Sequence, residues 1–402
     1  MKTIKILISL VLLFVLGCGI YGYISYQTIL KEEAPQSTLT FNETEINYQS
    51  AKLEYPLFNG LIPITREFKS DLKYTLETQM IVNSIELEMD DLITVTQADG
   101  ISETYTNVDH LYFEKNGLYQ VQIQRVKDSS TFLFEFNVNV NHKPSISISN
   151  QNPSQGELLI VEIDNLEPNS TIEIKNHFRP SAILQKDYKA RFYLPMAYRE
   201  SAKVYPLSMT INGQTYDYEL DVKTYEFKEL HFTVSASVSN STVGNNDAVI
   251  QYRETIYPLY ETFETEEYWD GNFINPVEGA RVSSTFGEMR FVNNAKTPTR
   301  HSGIDYAIQC GTEVLASNAG KVEYAGFLTM IGNTIVIDHG LGLKTFYEHM
   351  EDITINQGDK VDKGQLIGHV GTTGYSTGCH LHFQAMVKNQ SINPEFLYSI
   401  AD

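Results

Sequence analysis

Six of the ten histidines fall in the last 102 of 402 residues: His301, His339, His349, His369, His380 and His382. Two of their spacings could do chemistry. His301 and Asp305 are four apart in His-Ser-Gly-Ile-Asp, and His380 and His382 are two apart in His-Leu-His. On a strand every even offset points to one face, so each motif can aim its polar side chains at a common point. Zinc accepts imidazole nitrogen and carboxylate oxygen, and a catalytic zinc site uses three protein ligands plus an open position. Two histidines and one aspartate would fill those three places. Singly, each motif is weak: His-x-x-x-Asp recurs by chance, and His-x-His can be two stacked surface residues. Jointly, with Gly303, Gly371, Gly374 and Gly378 nearby to let the backbone pass close or adopt positive φ, they point to a metal centre.

The elements that must position these residues read as strands. From Asn275-Pro276 onward glycines are frequent and strands run to the C-terminus. Upstream, Phe132, Phe134, Phe136, Val138 and Val140 alternate with Leu133, Glu135, Asn137 and Asn139, which places five apolar side chains on one face. Asn116-Gly117 and Asn212-Gly213 are hairpin signals between alternating segments. The bias toward 25 Tyr and 20 Phe, with Trp269 the single tryptophan, also favours sheet over helix. Two consecutive β-sandwiches, at 36–142 and 143–235, account for this pattern. Residues 236–274 read as a polar Ser/Asn/Gly linker with a short helix around Ile256, Leu259, Tyr260 and Phe263, in which Pro258 fits only the first turn. The C-terminal domain is expected at 275–400. The chain is therefore mainly β, with antiparallel sheets.

The N-terminus sets the compartment. Ile6 to Ile24 is nineteen residues without a charge, about 28 Å as a helix and close to the hydrocarbon thickness of a bilayer. Residues 1–27 are read as a single membrane span. Lys2 and Lys5 precede it and Lys31 is offset by Glu32 and Glu33, so the N-terminus is expected inside and the remainder exported. A cleaved signal peptide and a lipoprotein box at Val15–Cys18 are the competing readings; the long apolar run and the bulky Leu16 weigh against them. Of the exported cysteines, Cys310 and Cys379 are expected to pair in an oxidising space. A net charge of -20, from 30 Lys+Arg against 50 Asp+Glu, without a basic run, argues against a nucleic-acid partner.

Residues from about Pro276 to Leu397 resemble the lysostaphin/LytM-type zinc metalloendopeptidases of bacterial cell walls. The pieces that carry the resemblance are Ser284-Thr-Phe-Gly287, His301 to Asp305, Gly332 to Gly340, Phe346-Tyr-Glu-His349 and Gly371 to Phe383. The resemblance implies the duplicated hybrid motif fold, one zinc ion held by His301, Asp305 and His382, and a catalytic pair in His349 and His380. One imidazole of that pair would take a proton from water and the other hydrogen-bond the oxyanion, in an order the residues leave open. It also implies peptides of peptidoglycan, in stem or cross-bridge, as substrate for a membrane-anchored, extracytoplasmic enzyme. Asn333 and His339 match family positions and are expected to fix turns and strand ends; His369 reads as structural. Cys379 departs from the family's usual residue, and a bond to Cys310 would stiffen the ligand loop. The upstream sandwiches resemble immunoglobulin-like domains. The alternative is a catalytically inactive scaffold or activator of an envelope complex, disfavoured because the full set of ligands and both histidines is present.

Overall fold

Alternating apolar residues form the strands, as expected. In the strand Thr131–Asn141 the phenylalanines and valines at alternate positions are buried and their neighbours face outward. The computed structural model describes residues 2–400 apart from 36, 42–43, 58–61, 80, 84–90, 107–109, 114, 128 and 142. The expected sandwich limits Gln36 and His142 thus lie outside the described residues. The architecture is mainly β with antiparallel sheets and an N-terminal helix, α1 (Lys2–Lys31). Its stretch Leu10–Lys31 is long and apolar enough to cross a bilayer, and Leu10 to Leu16 are exposed.

The chain divides into two units, the first ending at Lys143 and also taking in 165–167. In that unit Thr131–Asn141 pairs antiparallel with Gly117–Gln124 on one side and Ser50–Leu57 on the other, while Tyr74–Gln79 joins it in parallel. Tyr119, Val121 and Ile123 share the buried face with Phe132, Phe134 and Phe136.

The second unit holds two small antiparallel sheets and the histidine-rich region. The small sheets are a four-stranded one over Ser145–Pro195 and a three-stranded one from Ile172–Asn176, Val204–Ile211 and Gln214–Asp221. Asn212 and Gly213 have φ of 49° and 84°, the left-handed pair that a two-residue hairpin requires. Leu158 and Tyr193 of the four-stranded sheet share a core with Trp269, Leu343, Val387 and Leu397. Trp269 Nε1 donates to Tyr193 Oη at 2.9 Å, and Tyr193 Oη donates to Glu267 Oε1 at 2.7 Å, which satisfies the polar atoms of that core.

The C-terminal sheet has eight strands. Numbered in chain order within it, they are β1 (Arg281–Ser284), β2 (Ile304–Ala307), β3 (Gly320–Leu328), β4 (Gly332–Gly340), β5 (Leu343–Met350), β6 (Lys360–Val361), β7 (His380–Val387) and β8 (Gln390–Ile392). The spatial order is β1-β2-β7-β5-β4-β3-β6, with β8 on β7. One face packs on a core of Val277, Ile335, Ile337, Tyr347 and Phe383.

The other face is partly covered by the segment expected as a linker with a short helix around Ile256: α3 (Asn246–Leu259) packs there, preceded by a shorter helix, α2 (Ala236–Ser241). The Ser/Asn content that suggested a loop supplies their caps: Ser235 accepts from Val238 N, and Asn245 accepts from Asp247 N and Ala248 N. Ile256 of α3 packs on Leu328, Val336, Phe346 and Met386. Pro258 lies in the last turn of α3, not the first; the helix ends one residue later, so only its final turn bears the lost N–H.

Candidate metal centre and groove

Register builds the centre. Ser284 pairs with Asp305, Asp305 with His382, and His382 with Glu348, giving one row across β1, β2, β7 and β5. Residues directly opposite on antiparallel strands have Cβ atoms ~5 Å apart on one face. His301 arrives differently from the expectation. It precedes β2 and is not on one strand with Asp305; the chain turns through Ser302 and Gly303. Backbone bonds from His301 N to Glu288 O (3.0 Å) and from Gly287 N to His301 O (2.8 Å) clamp it in place. A Cβ on Gly303 would stand 2.3 Å from Phe383 O, so only glycine permits this approach to β7.

The three side chains converge. His301 Nε2 lies 3.0 Å from Asp305 Oδ1 and 2.9 Å from His382 Nδ1, and His382 Nδ1 lies 2.8 Å from Asp305 Oδ1. All three residues are buried, and among the described residues they are the cluster that could hold a metal ion. His301 Nδ1 sits 2.9 Å from Thr285 O; a hydrogen bond there places the proton on Nδ1 and leaves a lone pair on Nε2. Arg290 donates to Asp305 Oδ2 and, at 2.7 Å, to Ser284 Oγ, so Oδ1 is the oxygen facing the imidazoles. Burial alone would raise Asp305, yet His301 and His382 hold its carboxyl well below the usual range. Burial brings His301 down to about 4 against the pull of Asp305. A neutral imidazole and an ionised carboxylate are the ligand forms a divalent zinc needs.

His349 and His380 flank the cluster, their ring centroids 4.9 Å apart, and the His349 ring is 6.2 Å from that of His382. Each has Nδ1 2.8 Å from a backbone carbonyl, Thr373 O for His349 and Gly378 O for His380, and among the described residues neither Nε2 makes a hydrogen bond. His380 Nε2 is 3.9 Å from Asp305 Oδ1. Burial, then the neighbouring His380 and His382, lowers His349 to about 3, keeping it neutral. Consecutive strand residues normally face opposite ways. Glu348 and His349 nevertheless both line the groove, because His349 takes φ of 65° and breaks the alternation of β5.

Glu348 and Arg290 were missed by sequence reasoning. Strict alternation selects His349 and discards its neighbour, and Arg290 is brought in by pairing of its strand, Met289–Val292, with Thr299–Arg300 and in parallel with Glu229–Phe232. Glu348 is pushed up to about 7 by burial, with His382 opposing. The other candidates lie outside the cluster. His339 is buried between Ala319 O and Thr345 Oγ1, both at 2.7 Å, and Asn333 Nδ2 donates to Glu351 O at 2.8 Å; both hold strand ends. His369 Nδ1 contacts Asp352 Oδ1 at 2.8 Å. Cys310 and Cys379 form a disulfide, as expected.

A groove of about 680 Å³ opens over the cluster. The glycine-rich loop with Tyr375 and Thr377 forms one wall, and Leu230, Phe232, Val243 and Tyr252 from upstream of the metal motifs form another. Residues 299–394 match the sequence profile of peptidase family M23. The C-terminal region is an M23 peptidase domain. The M23 match extends to named relatives. The DD-carboxypeptidase/endopeptidase Mpg of Neisseria meningitidis serogroup B (strain ATCC 13091 / M2091) is 41% identical over 121 residues, 30% of this chain and 28% of that protein. The peptidoglycan DD-endopeptidase ShyC of Vibrio cholerae is 30% identical over 195 residues, 45% of this chain and 44% of that protein. Each match thus spans under half of the relative's length. Among solved structures, the catalytic domain of the antimicrobial peptidase lysostaphin from Staphylococcus simulans is 33% identical, with TM-score 0.28, covering 30% of this chain and 93% of that one.

Proposed function

We propose that the chain is a zinc endopeptidase that cleaves peptide bonds of peptidoglycan outside the cytoplasmic membrane, to which α1 anchors it with the N-terminus inside. The observation that carries this reading is the meeting of His301 Nε2, His382 Nδ1 and Asp305 Oδ1 within 3.0 Å of one another, beside two imidazoles each held through Nδ1 by a backbone carbonyl. His301, Asp305 and His382 would hold one zinc ion. Bound there, zinc supplies Lewis acidity that acidifies water and polarises a carbonyl. The chain's own residues do the rest. A neutral imidazole, His349 or His380, accepts a proton at Nε2 and returns it to the leaving amine; its partner, whose Nδ1–H is held by a carbonyl, donates to the developing oxyanion when it also carries a proton on Nε2. The carbonyls of Thr373 and Gly378 hold the two rings in register. Arg290 occupies Asp305 Oδ2 and keeps Oδ1 for the metal.

The groove admits an extended peptide, and the names of the relatives, DD-endopeptidases of peptidoglycan, support a bond between D-amino acids of cross-linked stem peptides as the target. The test is zinc content of the purified full chain together with release of peptides from cross-linked peptidoglycan, read by mass spectrometry. One zinc per chain and release by wild type but not by His382→Ala is the expected result. Equal release by both proteins refutes the catalytic assignment.

A further inference from the structure

His382 contributes Nδ1 to the cluster, so its ring carries the proton on Nε2, on the opposite side from Asp305 and His301. A buried imidazole N–H needs an acceptor. His382 is 6% exposed, and among the described residues Nε2 makes no hydrogen bond. Directly across on β5, in register, stands Glu348, 7% exposed, and among the described residues no hydrogen bond reaches its carboxylate. A donor and an acceptor on two largely buried residues thus stand across from each other on adjacent strands at the floor of the groove, with no other hydrogen-bond partner among the described residues. The tyrosines of α3 enclose the same space: Tyr252 lines the groove beside Glu348, and its hydroxyl is 3.3 Å from that of Tyr260. Neither phenol bonds to the carboxylate.

We propose that Glu348 is a positioning residue for His382: its carboxylate accepts from Nε2–H, directly or through one water, and so fixes the tautomer that presents Nδ1 to the metal. The inference rests on the zinc reading above. A carboxylate behind a ligating histidine orients the ring and raises its basicity, and the loss of such a partner weakens metal binding roughly 10- to 100-fold. Glu348 stands at the far end of the row from Ser284, which Arg290 contacts together with Asp305. It is not a ligand, since the cluster of ligand atoms comprises His301, Asp305 and His382 alone among the described residues.

The test is a zinc titration of the full chain in detergent, against a chromophoric chelator, for wild type, Glu348→Gln and Glu348→Leu, with the melting temperature of each metal-free protein alongside. Leucine removes both charge and acceptor; glutamine keeps an acceptor. The expected result is a dissociation constant raised roughly 10- to 100-fold in Glu348→Leu and by less in Glu348→Gln, while the metal-free melting temperature of Glu348→Gln stays level because its amide oxygen still accepts from Nε2–H. Dissociation constants in both variants within threefold of wild type would overturn the inference, and if the leucine protein melts early the glutamine variant alone decides the matter. Wild type binding no zinc sinks the metal reading itself, a different outcome from wild type and variants binding it equally.

Discussion

The disulfide offers a quantitative test of how the catalytic strands are held. Cys310 follows β2 and Cys379 immediately precedes His380, with a sequence separation of 69. The β2–β7 ladder ends at the pair Ala307 and His380, so the bridge lies just past the last rung, beside the imidazole proposed for proton transfer. Replacing both cysteines in Cys310→Ser/Cys379→Ser releases that loop in the unfolded chain. Chain-entropy reasoning for a loop of this length gives about 4 kcal/mol. For a folding unit of this size, each kcal/mol moves the melting temperature by roughly 2–4 °C, so calorimetry is expected to show a fall of roughly 8–16 °C. The chemistry should divide. Asp305 and His382 are paired within the ladder and keep their zinc, with a dissociation constant changed by less than about threefold. His380 is tied to the glycine-rich loop through Gly378 O and, at 3.4 Å, Ser376 Oγ. Its loss of position lowers kcat by about tenfold or more, with KM little affected. A melting temperature within 2 °C of wild type refutes the loop-closure argument. Zinc lost in step with kcat refutes the separation of ligand strands from the His380 loop.

Three further outcomes are expected. His349→Ala retains zinc but loses roughly 100- to 10,000-fold in kcat, measured on a defined cross-linked peptide with metal content checked in parallel. Lys344→Met is destabilised by about 3–5 kcal/mol in denaturant melts, because the buried Nζ that pairs with Glu323 and lies 3.9 Å from Asp338 Oδ2 is removed. Burial, opposed by Lys344, raises Asp338 to about 6. Without the lysine it rises further, the folded state then binds a proton that the unfolded state releases, and the deficit against wild type shrinks as pH falls from 8 to 5; a deficit that grows on acidification refutes this. In Gly303→Ala the new Cβ, 2.3 Å from Phe383 O, pushes β2 away from β7. Stability falls by about 1–3 kcal/mol and zinc affinity falls with it, because Asp305 is displaced; stability lost with zinc affinity intact would place the strain elsewhere.

The strands were legible because they rest on period-two patterning, and the residue types of the candidate cluster stood out; the choice of His301, Asp305 and His382 among them came from the family resemblance, and His301 reaches the cluster from a bend before β2. Phe132 to Val140 show their buried face in the sequence itself, and His-Leu-His places two imidazoles on one face without knowledge of any partner strand. Register between distant strands is not written locally. That Glu348 stands across from His382 depends on how β5 and β7 align, and alternation even pointed away from it, because the left-handed φ of His349 is what turns consecutive residues into one groove. The helical capping by Ser235 and Asn245 was hidden for a similar reason: serine and asparagine favour loops and N-caps alike, and only the apolar partners of Ile256 decide between them.

Those partners also bear on where the folded catalytic unit begins. The family profile starts at residue 299, yet Ser284 and Arg290 contact Asp305 or its neighbours, and Phe232 and Val243 line the groove. A fragment cut at 275 would bare Leu328, Val336, Phe346 and Met386 on the face that α3 covers. It would also strip Lys344 Nζ of Leu259 O and Thr262 Oγ1, leaving a buried ammonium with fewer acceptors for its three protons. Apolar exposure and an under-satisfied charge act in the same direction, toward aggregation or a loosened sheet. The stretch from Glu229 to Thr262 is therefore part of the enzyme's fold, and the groove has one wall built from sequence that carries none of the metal motifs.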